Sequence, residues 1–192
     1  MSTHPRGLTG RNVLITGGAK GQGLNHAKAF ADAGADLALL DITEPISDIY
    51  PLADARMLAD AVTEVEKRGR RAVGLPCDVR DELAVESAVT KALDFFDARI
   101  DILINNAGMA AMDTIHHMRP GTGSGMVSGM AETLGTTPEQ AYEMLSGQLN
   151  MPGDKWRVEM SHITDAVLFL ASDNADQITG HVLRVEAGQN AR

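Results

Sequence analysis

Gly17, Gly21 and Gly23 fall in the stretch Thr16-Gly-Gly-Ala-Lys-Gly-Gln-Gly-Leu24, between the apolar run Val13–Ile15 and a helix-like pattern. A strand, a turn short of Cβ atoms and a helix N-terminus together make an anion site. Glycine lets backbone approach a pyrophosphate, and the helix end offers unpaired N–H groups and a partial positive charge. Gly17, Lys20, Gly21, Gln22, Gly23 and Leu24 are expected to border that group. Asp41 closes the apolar run Asp36-Leu-Ala-Leu-Leu-Asp41. It lies about 20 residues past the turn, where a dinucleotide fold sets an acid on the adenosine ribose hydroxyls. An isolated strand-end aspartate is ordinarily a turn former; the spacing from the glycine turn favours the ribose role. Lys20 could meet a ribose 2′-phosphate, but Asp41 would repel it, so NAD is expected rather than NADP.

The elements around these residues alternate. Val13–Thr16 reads as a strand, and a helix from about Gly23 puts Ala27, Phe30 and Ala31 on one face and stops at Gly34. The connection from Ile42 to Leu52 holds Pro45 and Pro51. It reads either as a flap on an apolar surface, through Ile46, Ile49 and Tyr50, or as a surface loop. Leu58, Ala61, Val62 and Val65 stand at i, i+3, i+4 and i+7 of a helix closed by Gly69. Arg71–Val79 is a third strand entering an Asp-bearing loop, and Val85, Val89, Ala92, Leu93 and Phe96 mark the next helix face. Ile100–Asn105 is a fourth strand, ending in Asn105-Asn106-Ala107-Gly108. Such alternation implies parallel strands, right-handed crossovers, helices on both faces and a ligand at the strands' carboxyl ends.

After Gly108 the rhythm breaks. Met109–Met118 reads as a short helix and Arg119–Gly129 as a glycine-rich loop. Thr137-Pro138-Glu139-Gln140 is a helix start, with a Thr cap, Pro at the first position and Gln for a capping box. Met151–Met160 is irregular, and its Trp156 covers a pocket or simply packs. Ser161 is expected to cap a helix with Ile163, Ala166, Val167 and Leu170 on its stripe, and Gly180–Ala187 to form a last strand.

At 192 residues one domain with a real core is expected. A formal net charge of -9 disfavours nucleic acid and anionic membrane as partners, since both attract basic faces. Cys77, the one cysteine, can form no internal disulfide, and no Cys/His cluster has zinc-ligand spacing, so no metal is expected. With no apolar signal-like region in the first ten residues and no run of about 18 apolar residues, a cytoplasmic protein is the expectation.

These residues resemble the short-chain dehydrogenase/reductase family. Thr16-Gly17-Gly18-Ala19-Lys20-Gly21-Gln22-Gly23 is similar to its TGxxxGxG turn, and Asn105-Asn106-Ala107-Gly108 to its NNAG motif. Phe169–Asp173 and Ile178–Gly188 resemble its final helix and strand. The long Ile42–Leu52 connection and the Gly-Gln-Gly turn resemble the carveol-dehydrogenase-like, mycofactocin-associated branch. The resemblance implies a Rossmann-like doubly wound parallel sheet and an NAD site. In that site Asp41 is the acid of NAD-preferring members and Ile42 stands beside it. Cys77, Asp78 and Val79 would form the loop on adenine, with Asn105, Ala107 and Gly108 at the end of strand four. It also implies a small-molecule substrate and a homo-oligomer.

The departure from the family is equally specific. Members run longer and move a proton with a Ser and a Tyr-x-x-x-Lys, whose i, i+4 spacing lets Lys⁺ depress a phenol pKa of about 10. Four positions after Tyr50 stands Asp54, and four after Tyr142 stands Ser146, so no Tyr-x-x-x-Lys exists here. Met112–Met118 resembles the start of the helix after NNAG, and Pro120-Gly121, with Thr122 or Ser124 after it, the loop on nicotinamide. The family's intervening elements are missing between about Met118 and Pro120, leaving a reduced sheet expected to have five strands rather than seven. The last strand is then expected beside strand four or on another subunit. The domain divides into a dinucleotide-binding half (1–118), a shortened substrate or lid region (119–160) and a C-terminal helix and strand (161–192).

The catalytic residues stay unassigned. His116 and His117 titrate in the useful range, but neighbours on a helix point apart and read first as surface or interface groups. Tyr142 and Lys155 read first as lid residues, and Cys77 as buried structure. Met109, Met112, Met118, Met126 and Met130 suit either packing or a greasy pocket. Three functions remain open: an NAD(H)-dependent oxidoreductase on a hydroxyl or ketone of a small apolar metabolite, a non-redox derivative reusing the pocket, or an internally deleted form of an ordinary enzyme. The non-redox derivative could be a cyclase, isomerase or dehydratase, or a binding or regulatory subunit.

Overall fold

The structure, a computed structural model, describes residues 5–44, 52–108, 131, 134–137, 140 and 158–186. The chain divides into two compact units, one of residues 1–45, 52–108 and 160–182, the other of 46–51, 109–159 and 183–192.

The first unit holds a parallel sheet of β1 (Asn12–Thr16), β2 (Asp36–Asp41), β3 (Ala72–Pro76) and β4 (Ile102–Asn105). Its strand order is β3-β2-β1-β4. The crossovers are α1 (Gly21–Asp32), α2 (Ala55–Glu66) and α3 (Glu82–Phe95), and α4 (Met160–Leu170) leads into a 3-10 turn at Asp173–Ala175. All six residues of β2 are buried, as expected of an apolar run covered on both faces.

Side-chain alternation sorts the core into two halves. Val13, Ile15, Leu37 and Leu39 pack with Phe30 of α1, Leu58 and Val65 of α2 and Leu168 of α4. Leu14, Ala38, Leu40 and Leu75 pack with Ala88 and Ala92 of α3 and with Phe96. Each fully buried side chain of this size stabilises the fold by about 1.5–3 kcal/mol. Asp54 caps α2 by accepting from the Met57 amide at 2.7 Å, and Asp81 caps α3 by accepting from Leu83 and Ala84. At the sheet's amino end the carboxylate of Asp36 accepts from Arg70 at 2.6 Å and from Arg71 Nε at 2.8 Å. Burial pushes that carboxyl up, and the two guanidiniums outweigh it, leaving the pKa lowered.

Two expectations about the late elements change. Ser161 lies inside α4 rather than capping it, and the buried stripe is Thr164 and Leu168, with Leu170 exposed. The apolar pattern misplaced the stripe because a polar residue, Thr164, occupies its centre. Its hydroxyl takes Nδ2 of Asn25 and Nδ1 of His26, each at 2.7 Å, which removes the cost of burying it. Among the described residues the last strand is also absent: residues 181–185 are outside any strand, and Val182 is 80% exposed. The described sheet is reduced to four strands rather than five. An apolar stretch makes a strand only where a neighbouring edge takes up its N–H and C=O groups, and none of the described strands pairs with residues 181–185.

In the second unit, the described residues bear out the capping box. The Thr137 amide donates to Gln140 Oε1 at 3.1 Å, and the Gln140 amide to Thr137 Oγ1 at 3.3 Å. Among the described residues no helix is long and apolar enough to cross a membrane.

Candidate functional site

Strand register brings the site residues to one end of the sheet. Thr16 pairs with Asn105 across β1–β4 and with Leu40 across β1–β2, and Asp41 pairs with Pro76 across β2–β3. The turn after β1 lies against the end of β2. The Gly18 amide donates to the Leu40 carbonyl at 3.1 Å, and the Ala19 amide to Asp41 Oδ2 at 2.8 Å. The Ile42 amide donates to Asp41 Oδ1 at 2.8 Å. Asp41 is only 9% exposed, yet each of its oxygens, holding one of these bonds, retains accepting capacity.

Backbone packs on backbone around the turn. Gly17 has φ 68°, and a Cβ there would stand 2.9 Å from Ala107 Cα. A Cβ on Gly23 would overlap the Gly17 carbonyl oxygen. A side chain at either position would force the turn away from α1 and from the end of β4. On the outer side, nothing lies within 4 Å of a Cβ placed on Gly21. The first turn of α1 carries no acidic side chain, and Lys20 makes no side-chain capping bond, so the positive pole of the helix is left uncompensated by its own caps. Lys20, Gly21 and Gln22 are exposed, and Leu24 is half-buried.

Two residues outside the expected set hold the arrangement. Thr16 Oγ1 accepts from the amides of Asn106 at 3.1 Å and Ala107 at 3.0 Å, and donates to the Ile104 carbonyl at 3.4 Å. Asn106 Nδ2 donates to the carbonyls of Thr16 at 3.0 Å and Gly17 at 3.1 Å. The signal in the sequence was a polar residue ending one apolar strand and another directly after the second. Asn105, Ala107 and Gly108 are exposed beyond this clamp.

The loop after β3 is joined to the acid of β2, the Cys77 amide donating to the Asp41 carbonyl at 2.8 Å. Cys77 is buried, and burial, then Asp78 and Asp81, push its thiol up, which suits structure rather than nucleophilic attack. The side chain of Asp78 is occupied. Arg80 donates to it from Nη2 at 2.6 Å, from Nε at 3.0 Å and from its own amide at 3.0 Å, and that bonding pulls the carboxyl down to about 2. Val79 is exposed.

Gly17, Gly23, Asp41 and Ala107 are therefore brought into one locale, with Cys77 joined through backbone. His116, His117, Tyr50, Tyr142, Lys155, Trp156 and the five methionines from Met109 to Met130 lie outside the described residues. Among the described residues no group of three or more His, Cys, Asp or Glu side chains is placed to hold a metal ion.

A four-stranded parallel sheet in the order β3-β2-β1-β4, with a glycine turn and a buried strand-end acid at its carboxyl end, defines a Rossmann-like nucleotide-binding class. The short chain dehydrogenase family model matches residues 11–128, and the chain belongs to that family. It is 39% identical over 114 residues to (-)-trans-carveol dehydrogenase of Rhodococcus erythropolis, covering 59% of this chain and 41% of that relative. It is 37% identical over 111 residues to an uncharacterized NAD-dependent oxidoreductase of Mycobacterium tuberculosis, covering 57% and 40%. The chain thus spans about two fifths of the length of the curated relatives it matches. Among solved structures, a short chain dehydrogenase of Mycobacterium paratuberculosis bound to NAD matches with TM-score 0.76 at 25% identity, over 96% of this chain and 99% of that one. Carveol dehydrogenase of Mycobacterium avium in complex with NAD matches with TM-score 0.75 at 24% identity, over the same shares, which speaks for the fold.

Proposed function

We propose that this chain holds NAD(H) at the carboxyl end of its sheet and serves an oxidoreductase reaction on a hydroxyl or ketone of a small apolar metabolite. The observation that carries this reading is the Ala19–Asp41 bond of 2.8 Å. It fixes an acid for ribose hydroxyls directly beside the turn that would take the pyrophosphate. Gly17, Gly21, Gly23 and the first amides of α1, with Lys20, Gln22 and Leu24 around them, would cradle the pyrophosphate. Ile42, Cys77, Asp78 and Val79 would flank the adenosine, and Asn105, Ala107 and Gly108 would lie toward the nicotinamide. NAD supplies the hydride acceptor, and the chain's own residues bind and orient it. Asp41 would repel a 2′-phosphate, which favours NAD over NADP.

A relative named for carveol, a small apolar alcohol, supports this substrate class, and residues 119–160 are the stretch we assign to receive it. A homo-oligomer in the cytoplasm belongs to the same reading. Among the described residues β4 has β1 as its one sheet neighbour and Leu103 is 55% exposed, an edge that a second copy would cover.

One observation favours a second reading. With Tyr50 followed by Asp54 and Tyr142 by Ser146, the family's proton-transfer pair is missing, which suits a protein that binds the nucleotide without redox turnover. An internally deleted form of an ordinary enzyme would behave the same way. Fluorescence titration with NADH separates these from a failure of the whole proposal. Saturable binding with NAD-linked oxidation of carveol-like alcohols supports the oxidoreductase, binding without turnover supports the second reading, and no binding at millimolar NADH rejects both.

A further inference from the structure

His26 of α1 and Thr164 of α4 are each 2% exposed, and His26 Nδ1 stands 2.7 Å from Thr164 Oγ1. The same oxygen accepts from Asn25 Nδ2 at 2.7 Å. A hydroxyl has one proton to give. The neutral imidazole accepts that proton at Nδ1, whereas the cationic one must donate there and turn the Thr164 proton away. No carboxylate offsets such a charge. The strands beneath α1 present Val13, Ile15, Leu37 and Leu39. Toward α2, Lys28 meets Glu64 at 3.6 Å and Asp32 meets Arg68 at 3.1 Å, while Arg56, Asp60 and Glu66 are exposed. His162 and Asp165 of α4 are exposed too, two and one positions from Thr164, where helix neighbours do not share its face. Burial accordingly lowers the His26 pKa.

The helix that carries His26 is also the one whose amino end meets the glycine turn. Gly23 stands three positions before His26, on the same side of α1, so close to the Gly17 carbonyl that a Cβ there would overlap it. From this geometry we infer that Thr164 is a positioning residue for the nucleotide site, acting through His26, and that a proton on His26 weakens dinucleotide binding. The inference rests on the nucleotide reading above and adds regulation to it. A charged imidazole is stable only where water reaches it, which requires α1 to part from α4 around Thr164. The turn and the first amides of α1 are then displaced from the pyrophosphate. Bound dinucleotide holds α1 in place and opposes the proton, and by linkage the proton opposes the dinucleotide. The direction is diagnostic. Direct attraction between an imidazolium and a pyrophosphate would strengthen binding in acid, whereas displacement of α1 weakens it.

The readout is the dissociation constant of ADP-ribose, which carries the adenosine and the pyrophosphate, measured by calorimetry on the full chain from pH 7.5 to 5.5. Circular dichroism checks the fold at each pH. The wild type is expected to bind about threefold more weakly at pH 5.5, since only the fraction with neutral His26 is competent. His26→Gln keeps a group that accepts from Thr164 and has no proton to gain, so its constant is expected to stay within about twofold. At pH 7.5, Thr164→Val is expected to weaken binding about threefold and Thr164→Ser to restore it with the wild-type pH profile. Wild-type affinity that is flat or rises in acid overturns the inference. So does a pH profile in His26→Gln equal to that of the wild type, or unchanged affinity in Thr164→Val. Each of these leaves the nucleotide site standing. Wild-type protein that does not bind ADP-ribose at pH 7.5 overturns the nucleotide reading, and this inference with it.

Discussion

The Ala19 amide and the Asp41 carboxylate, 22 positions apart in sequence, meet at 2.8 Å and tie the glycine turn to the end of β2. The acid is thereby presented by two elements rather than one, with Ile42 bonding its second oxygen. Asp41→Asn keeps an acceptor for Ala19 and gives up the charge. It is expected to weaken NADH binding about tenfold or more, since hydrogen bonds to a charged group are worth about 1.5–3 kcal/mol. The same change should narrow the preference for NADH over NADPH. Unchanged affinity for both nucleotides would remove Asp41 from the ribose site.

Thr16 offers a test of the clamp between β1 and β4. Thr16→Val leaves the amides of Asn106 and Ala107 without their acceptor, and each orphaned group costs about 1–3 kcal/mol where water cannot replace the bond. Urea denaturation should show a loss of about 2 kcal/mol, and Thr16→Ser should recover most of it. Equal stability of the Val and Ser variants would mean that solvent already satisfies these amides.

His26 gives a pH dependence. It is 2% exposed against Thr164, and burial lowers its pKa below the ordinary value of about 6.5. The unfolded chain then binds the proton more readily than the folded one, so this stability is complete above pH about 6.5 and is lost as pH falls through the folded value. Carboxylates lowered in the fold, such as Asp36 and Asp101, act at more acidic pH and leave this window clear. Denaturant midpoints at pH 7.5 and 5.5 should differ in the wild type and differ less in His26→Gln. A pH difference that is the same in both proteins would assign the effect elsewhere.

Ala98 carries backbone strain that glycine would relieve. Asp97 and Ala98 follow α3 with φ 55° and 71°, the left-handed region, while the Ala98 amide closes the helix on the Leu93 carbonyl at 2.8 Å. Such a conformation costs an L-residue about 1–2 kcal/mol, part of which returns as extra freedom of glycine in the unfolded chain. Ala98→Gly is expected to raise the denaturant midpoint by the equivalent of about 0.5–1 kcal/mol. A lower midpoint would show that unfolded-state entropy outweighs the strain.

Where an element's signal is local, sequence alone determined it. The apolar runs ending at Thr16, Asp41 and Asn105 have the length of buried strands, and the helix faces of α1 and α2 repeat at the helical period, whatever surrounds them. The glycine turn and Asp41 were legible for the same reason, since their spacing is set within one strand–helix–strand unit. The Thr137–Gln140 capping box is local chemistry too. Tertiary structure alone decided the rest. It placed polar Thr164 at the centre of α4's buried stripe, because Asn25 and His26 from α1 converge on its hydroxyl. It gave Thr16 and Asn106 their clamp, because only the parallel register of β1 and β4 brings them together. It left residues 181–185 out of the described sheet despite their β-branched and apolar content. A strand is completed by its neighbour's backbone, and a sequence carries its own side-chain period but not the edge that must meet it.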